Sequence, residues 1–144
     1  AEYMDTYFSR YPGVRKYMNK TKTEAKKTGY VETLYGRRLY LPEISTGNAI
    51  RRQAAERVAI NAPVQGTAAD IMKKAMLSVN DSLKKQKIDA KLILQVHDEL
   101  VVESHEKDTE KVTKILTDSM SKAAKLSVPL EVEIGIGKNW DQAH

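Results

Sequence analysis

Apolar and polar positions change period several times between residues 1 and 144, and each change marks an expected element. In "AEYMDTYFSRYPGV", Tyr3, Met4, Tyr7, Phe8 and Tyr11 recur at helical spacing until Pro12-Gly13 ends the run. Such an aromatic stripe is expected to face a core rather than to stack on bases. A second helix is predicted from Val14 to Thr28, studded with Arg15, Lys16, Lys20, Lys22, Lys26 and Lys27 and stopped by Gly29. The period then falls to two: Tyr30–Leu34 and Arg38–Leu41 are β-prone, with Gly36 at the turn between them. Pro42 closes the second strand, and "STGN" (Ser45 to Asn48) reads as a loop and a subdomain boundary.

"AIRRQAAERVAINA" is strongly helical up to Pro63, where a lost N–H and a crowded preceding turn predict a break. A fresh helix is expected near Gly66, with Thr67 and Asp70 at the spacing of a capping box. Ile71, Met72, Ala75, Met76, Val79 and Leu83 give it an apolar face. Two apolar runs, Leu92–Val96 and Leu100–Val102, then flank His97, Asp98 and Glu99, the pattern of a β-hairpin. A helix from about Glu106 to Lys125 follows, with Val112, Ile115, Leu116 and Met120 inward. After Pro129, the alternation of "LEVEIGIG" predicts a final strand with Glu131 and Glu133 on its wet face. The order of elements argues for an α+β fold: an antiparallel sheet with helices packed on one face, preceded by a mainly helical segment that carries a small hairpin.

Composition narrows the class. A 41% hydrophobic, 30% charged chain is that of a folded soluble protein rather than a disordered one. No apolar stretch approaches a membrane span and no secretory signal opens the chain, so no membrane partner is expected. Without cysteine there are no disulfides and no thiolate metal sites, which suits a reducing compartment. The first residue is Ala1 rather than Met, which suggests a piece of a longer protein. The net charge of +5 is uneven: residues 1–72 carry twelve Lys/Arg against seven Asp/Glu, residues 73–144 twelve of each. A basic half suits a polyanionic partner, although a solvated lysine-rich face would look the same.

Two constellations could carry chemistry. At the hairpin tip, Asp98 and Glu99 are adjacent carboxylates where Asn-Gly would turn more easily. Asp is an ordinary turn residue, but paired carboxylates repel unless a cation sits between them, and Mg²⁺ is held by one or two carboxylates plus substrate phosphates. His97 fits a hydrogen bond to backbone or phosphate. The second constellation is Arg57, Asn61 and Gln65, spaced by four, with Arg51 and Arg52 nearly two turns earlier. Amides and guanidinium groups in a row can read minor-groove acceptors while arginines hold phosphates; they can equally satisfy neighbours around a helix kink. A helix starting near Gly66 would aim its amides at an anion.

At these residues the chain resembles the family A DNA polymerases of bacteria. "QVHDELVVES" (Gln95–Ser104) resembles the third polymerase motif of that family, and Arg51–Met76 the helix pair before it. "YFSRYPGVRKYM" and "GYVETLYGRRLYLPEI" resemble its fingers region, and "VPLEVEIGIGKNWDQAH" its carboxyl terminus. The resemblance spans essentially the whole chain in order. It implies residues 1–50 as the end of a fingers subdomain and 51–144 as an incomplete palm. It implies nucleotidyl transfer with primer–template DNA and deoxynucleoside triphosphates as partners, two Mg²⁺ ions in the complete enzyme, and the bacterial cytoplasm or nucleoid as location. Asp98 would be a direct metal ligand and Glu99 a supporting carboxylate. His97 would lie near the primer terminus, Arg51 and Arg52 against the template, and Arg57, Asn61 and Gln65 along the minor groove.

The resemblance also marks departures. The family's other metal aspartate, on a "DYSQIELR"-like motif, and its triphosphate-gripping "RRxxKxxNFGxxYG"-like helix have no counterpart in these residues. The chain alone is therefore expected to be inactive and to depend on the remainder of the polymerase chain. Two other readings stand beside this one: a non-enzymatic duplex DNA-binding module built on the basic half, and a different metal-dependent phosphoryl-transfer enzyme such as a nuclease. Single-subunit RNA polymerases show His-Asp-Ser where this chain has His97-Asp98-Glu99, which favours DNA synthesis.

Overall fold

The computed structural model describes residues 2–143, with the side chain of Glu2 left aside. Helix α1 (Glu2–Arg10) and helix α2 (Pro12–Thr28) are separated by Tyr11. Pro12 ends the first helix and starts the second: at the first helical position its missing N–H costs nothing. Gly29, at φ 77°, closes α2 in a left-handed cap whose N–H donates to the Ala25 carbonyl. Strands β1 (Tyr30–Glu32) and β2 (Arg38–Tyr40) form an antiparallel hairpin, and a 3₁₀ turn over Pro42–Ser45 leads to the long helix α3 (Ala49–Lys85). Strands β3 (Ala90–Val96) and β4 (Glu99–Ser104) form the second hairpin, followed by α4 (Thr109–Ser121) and the short α5 (Trp140–Ala143). Among the described residues this is an α+β fold with two small antiparallel sheets.

The chain packs as two units, residues 1–67 and 68–144. The first gathers Ala25 of α2, Val31 of β1, Leu41 and Ile44 of the connecting turn, and Ala55 and Ala59 of α3 around one small apolar centre. Lys26 Nζ pairs with Glu56 Oε1 at 2.7 Å, tying α2 to α3 beside that centre. The second gathers Val79 and Leu83 of α3 and Val112 and Ile115 of α4 against Ala90, Leu92, Leu100 and Val102 of the hairpin. Val79 is fully buried, a placement that contributes about 1.5–3 kcal/mol. The four hairpin residues all lie on one face of the β3–β4 ladder, so helices cover that face, as the order of elements implied.

Four expectations are corrected. Pro63 does not break the helix, and no new helix starts at Gly66: α3 runs through both. Its turns on either side supply enough burial, at Ala55 and Ala59 before and Ala75 and Val79 after, to carry one lost backbone bond. The aromatic stripe of α1 is not core, since Tyr3 is 79% exposed and Met4, Tyr7 and Tyr11 are exposed as well; Tyr7 instead packs on Phe8 and Tyr11. "LEVEIGIG" keeps the alternation of a strand, half-buried at Leu130, Val132 and Ile134 and exposed at Glu131 and Glu133, but among the described residues it pairs with no neighbour and forms no ladder. Period records the faces of an extended chain, whereas a sheet also needs a partner. Helix α4 is also shorter than expected, with a 3₁₀ turn over Glu106–Asp108 before it.

Candidate nucleic-acid and metal site

The tip of the second hairpin is a two-residue turn. Val96 pairs with Glu99, leaving His97 and Asp98 outside the ladder. His97 adopts φ 50°, a left-handed backbone that side-chain-bearing residues enter at some cost and that His tolerates better than most. Gln95 steadies it: its Nε2 donates to the His97 carbonyl at 2.7 Å. His97 and Asp98 are exposed and Glu99 is half-buried. Because Glu99 pairs with Val96, its side chain lies on the face of the ladder away from the Val79 core. The two carboxylates are hard oxygen donors on a stiff support, and they fit a share of a magnesium site. Among the described residues no group of three His, Cys, Asp or Glu gathers to complete one.

The second constellation lies on α3. Asn48 caps the helix, its Oδ1 accepting from the Ile50 N–H at 3.0 Å and the Arg51 N–H at 3.2 Å. Arg51 is exposed and sits 3.8 Å from a Glu43 carboxylate oxygen. Arg52 is half-buried and donates from Nη1 to the Thr46 carbonyl at 2.9 Å, so it latches the loop that precedes the helix. Arg57, Asn61 and Gln65 are all exposed, one turn apart on a continuous helix, while Ala55 and Ala59 are buried. Continuity strengthens the stacking of these three side chains and removes the helix N-terminus expected near Gly66, and with it the anion site it would have made.

Contacts that the sequence did not single out brace this helix. Tyr17 of α2 donates its hydroxyl to the Ile60 carbonyl at 2.9 Å, in the turn that leads into Pro63. Thr67 is no cap; its Oγ1 accepts the Leu34 N–H at 2.9 Å. Arg37 Nη2 donates to the Gly66 carbonyl at 3.0 Å. A Cβ on Gly66 would lie 2.7 Å from Thr33 Cγ2, so only glycine admits the turn of the first hairpin this close. A glycine inside a helical pattern was the available signal for that approach.

The comparisons with known proteins agree along the whole chain. The family profile of DNA polymerase family A matches residues 1–142. The chain is 58% identical over 142 residues to DNA polymerase I of Pseudomonas aeruginosa, covering 99% of this chain and 16% of that protein. It is 46% identical over 143 residues to DNA polymerase I of Bacillus caldotenax, covering 99% and 16%. Among solved structures it resembles the POL domain of Pol1 from M. smegmatis in complex with DNA primer-template and dNTP, with TM-score 0.95 and 45% identity over 97% of this chain and 25% of that one. The chain thus spans about a sixth of the length of these curated relatives. By its sequence from end to end, and by its fold over nearly all of its length, it belongs to DNA polymerase family A.

Proposed function

We propose that the chain is part of a DNA-directed DNA polymerase that copies a template in replication and repair, with residues 1–50 ending the fingers and 51–144 forming part of the palm. The observation that carries this is the end of a paired, stiff hairpin that holds Asp98 in its two-residue turn and Glu99 on the first rung of its ladder, in a chain matched from residue 1 to 142 by the family A profile. Primer–template DNA and deoxynucleoside triphosphates are the proposed partners, supported by the DNA and dNTP named for the M. smegmatis neighbour. The rest of the polymerase chain is the third, and the bacterial cytoplasm or nucleoid the proposed location. Among the described residues no helix is long and apolar enough to cross a membrane.

In the reaction the primer 3′-oxygen attacks the α-phosphorus of the triphosphate; the bond to the bridging oxygen breaks and its electron pair leaves with pyrophosphate. Bound magnesium would lower the pKa of the attacking hydroxyl and neutralise charge on the phosphates. Asp98 is the proposed direct ligand and Glu99 the supporting carboxylate, with further ligands coming from the remainder of the polymerase. His97 stands at the primer end. Arg57, Asn61 and Gln65 line the minor groove, where acceptor positions are nearly the same in every correct pair, so their contacts check geometry without reading sequence. Arg51 is proposed to hold the template phosphates, and Arg52 acts beside it while anchoring the Thr46 loop.

Primer extension on a recessed duplex with Mg²⁺ tests this, comparing the complete polymerase, its Asp98→Ala variant and the 144-residue chain alone. The expected result is extension by the first only, with the variant down by several orders of magnitude. Full activity in Asp98→Ala would make Asp98 a turn residue. Salt-sensitive duplex binding indifferent to that change would favour a non-enzymatic binding module on the basic half.

A further inference from the structure

Pro63 leaves α3 with a missing backbone donor in the turn that joins Asn61 to Gln65. A helix so interrupted bends and flexes more easily than its neighbours. On each side of that weak point a group from outside the helix takes hold of it, at a backbone carbonyl on both sides and at the Thr67 hydroxyl as well. On the N-terminal side it is Tyr17, bonded to the carbonyl of Ile60, the residue before Asn61. On the C-terminal side it is the turn between β1 and β2, bonded to Gly66 and Thr67, the two residues after Gln65.

The gripping turn is itself closed. Thr33 N–H donates to the Arg37 carbonyl and Gly36 N–H to the Thr33 carbonyl, both at 3.0 Å. Thr33 Oγ1 accepts from the Arg37 N–H at 3.2 Å, which fixes its rotamer and points its methyl at Gly66. Gly36 supplies the left-handed backbone at φ 79°. A turn so restrained can act as a fixed stop rather than a loose loop.

We infer that Tyr17 and the Thr33–Arg37 turn form a two-point clamp on the proline-weakened stretch of α3, and that Tyr17, Thr33, Arg37 and Thr67 are positioning residues for Asn61 and Gln65. The clamp rests on the proposed minor-groove role of those amides. Its consequence is functional: the amides check the geometry of the terminal base pair only as sharply as their helix turn is held. Loosening either jaw lets them follow a misshapen pair, so the enzyme extends mismatched ends more readily while the chemical step on a matched end is spared.

The test uses the complete polymerase. Tyr17→Phe and Thr67→Val each remove one hydrogen-bonding group and keep the side chain's shape. Single-turnover extension of matched and mismatched primer ends is measured for each, for Gln65→Ala, and for Gln65→Ala combined with Thr67→Val, with melting temperatures as a check on folding. The expected result is a fall in matched-to-mismatched preference of about two- to twelvefold in each jaw variant, the range an ordinary hydrogen bond converts to. The matched-end rate at saturating triphosphate stays near wild type. In the Gln65→Ala background Thr67→Val lowers the preference by less than it does in wild type, because Asn61 is the only one of the two amides still held. If Gln65→Ala lowers the preference but the jaw variants do not, or their effects simply multiply, the clamp is overturned and the minor-groove role stands. If Gln65→Ala leaves the preference unchanged, both fall. A Thr67→Ser variant restores the hydroxyl and should restore the preference; failure to do so also overturns the clamp.

Discussion

Gly66 offers the sharpest quantitative test of how the first hairpin meets α3. In Gly66→Ala the new methyl would sit 2.7 Å from Thr33 Cγ2 and 3.3 Å from Arg37 Nη2, against an ordinary contact of about 3.4–4 Å. The Arg37 guanidinium can move by a few tenths of an ångström, but Thr33 cannot turn its methyl aside. Its Oγ1 accepts from the backbone N–H of Tyr35 at 3.3 Å and of Arg37 at 3.2 Å, and a rotation about χ1 would release both. The turn must therefore lift, at a cost of about 1–3 kcal/mol, typical of one excess methyl in a packed contact. Alanine improves α3 itself by up to about 1 kcal/mol, so helix amides should exchange no faster than before. The Leu34 amide, which donates to Thr67, should instead exchange about 5- to 160-fold faster in the complete polymerase, because a tenfold change answers to about 1.4 kcal/mol. Adding Thr33→Ser deletes the methyl and keeps Oγ1, so most of the lost protection should return. If the double variant exchanges as fast as Gly66→Ala alone, the methyl contact is not what glycine serves, and the close-approach argument fails.

Asn48→Ala should weaken the start of α3 by about 0.5–2 kcal/mol, read as faster exchange at the Ile50 and Arg51 amides that its side chain holds. The hydrogen bond from Lys26 holds the Glu56 carboxyl below its ordinary range, against a smaller opposing effect of desolvation. Its contribution is therefore complete above the unfolded-state value and lost as pH falls through the lower folded value. Glu56→Gln should accordingly melt below wild type at pH 7, by no more than a partly exposed pair's ~1 kcal/mol, with the gap closing as pH falls below the ordinary carboxylate range. At the hairpin tip, His97→Asn should cost less than about 0.5 kcal/mol, whereas His97→Val, β-branched at positive φ, should cost about 1–2 kcal/mol, seen in exchange at the β4 amides.

Local pattern made much of this chain legible. Gly29 and Pro12 punctuate helices for reasons intrinsic to their backbones, and the stripes at Val79–Leu83 and Val112–Ile115 fall on the second packing centre as their spacing implied. His97-Asp98-Glu99 stood out because charge between two apolar runs has few structural excuses. Illegible were the features that depend on what lies opposite. Pro63 signals a break because its local cost is plain, while the burial that carries α3 through it comes from residues distant in sequence. Tyr3 and Tyr7 carry the pattern of a core and are exposed, because a stripe reveals a face but not whether anything covers it. Thr67 looked like a cap, since the same hydroxyl that could bond its own helix instead accepts from Leu34, 33 residues away.

Strand β3 carries one residue more than β4 between Leu92 and Leu94, a bulge at Ile93. Before it, Ala90 and Leu92 share the core face; after it, Gln95 opposite Leu100 takes that face and Leu94 turns outward. The hairpin therefore counts. Substitutions along β3 would be absorbed one side chain at a time, and removing Ile93 would leave Leu94, Gln95 and Val96 opposite Val101, Leu100 and Glu99 in an unbroken ladder. A residue removed from β4 at Val101 has no such spare to replace it: every side chain on one side of the gap would change face, or the turn would have to change length. Single-residue deletion should thus be tolerated at Ile93 and not at Val101, a contrast that a deletion scan of residues 90–104 would show directly.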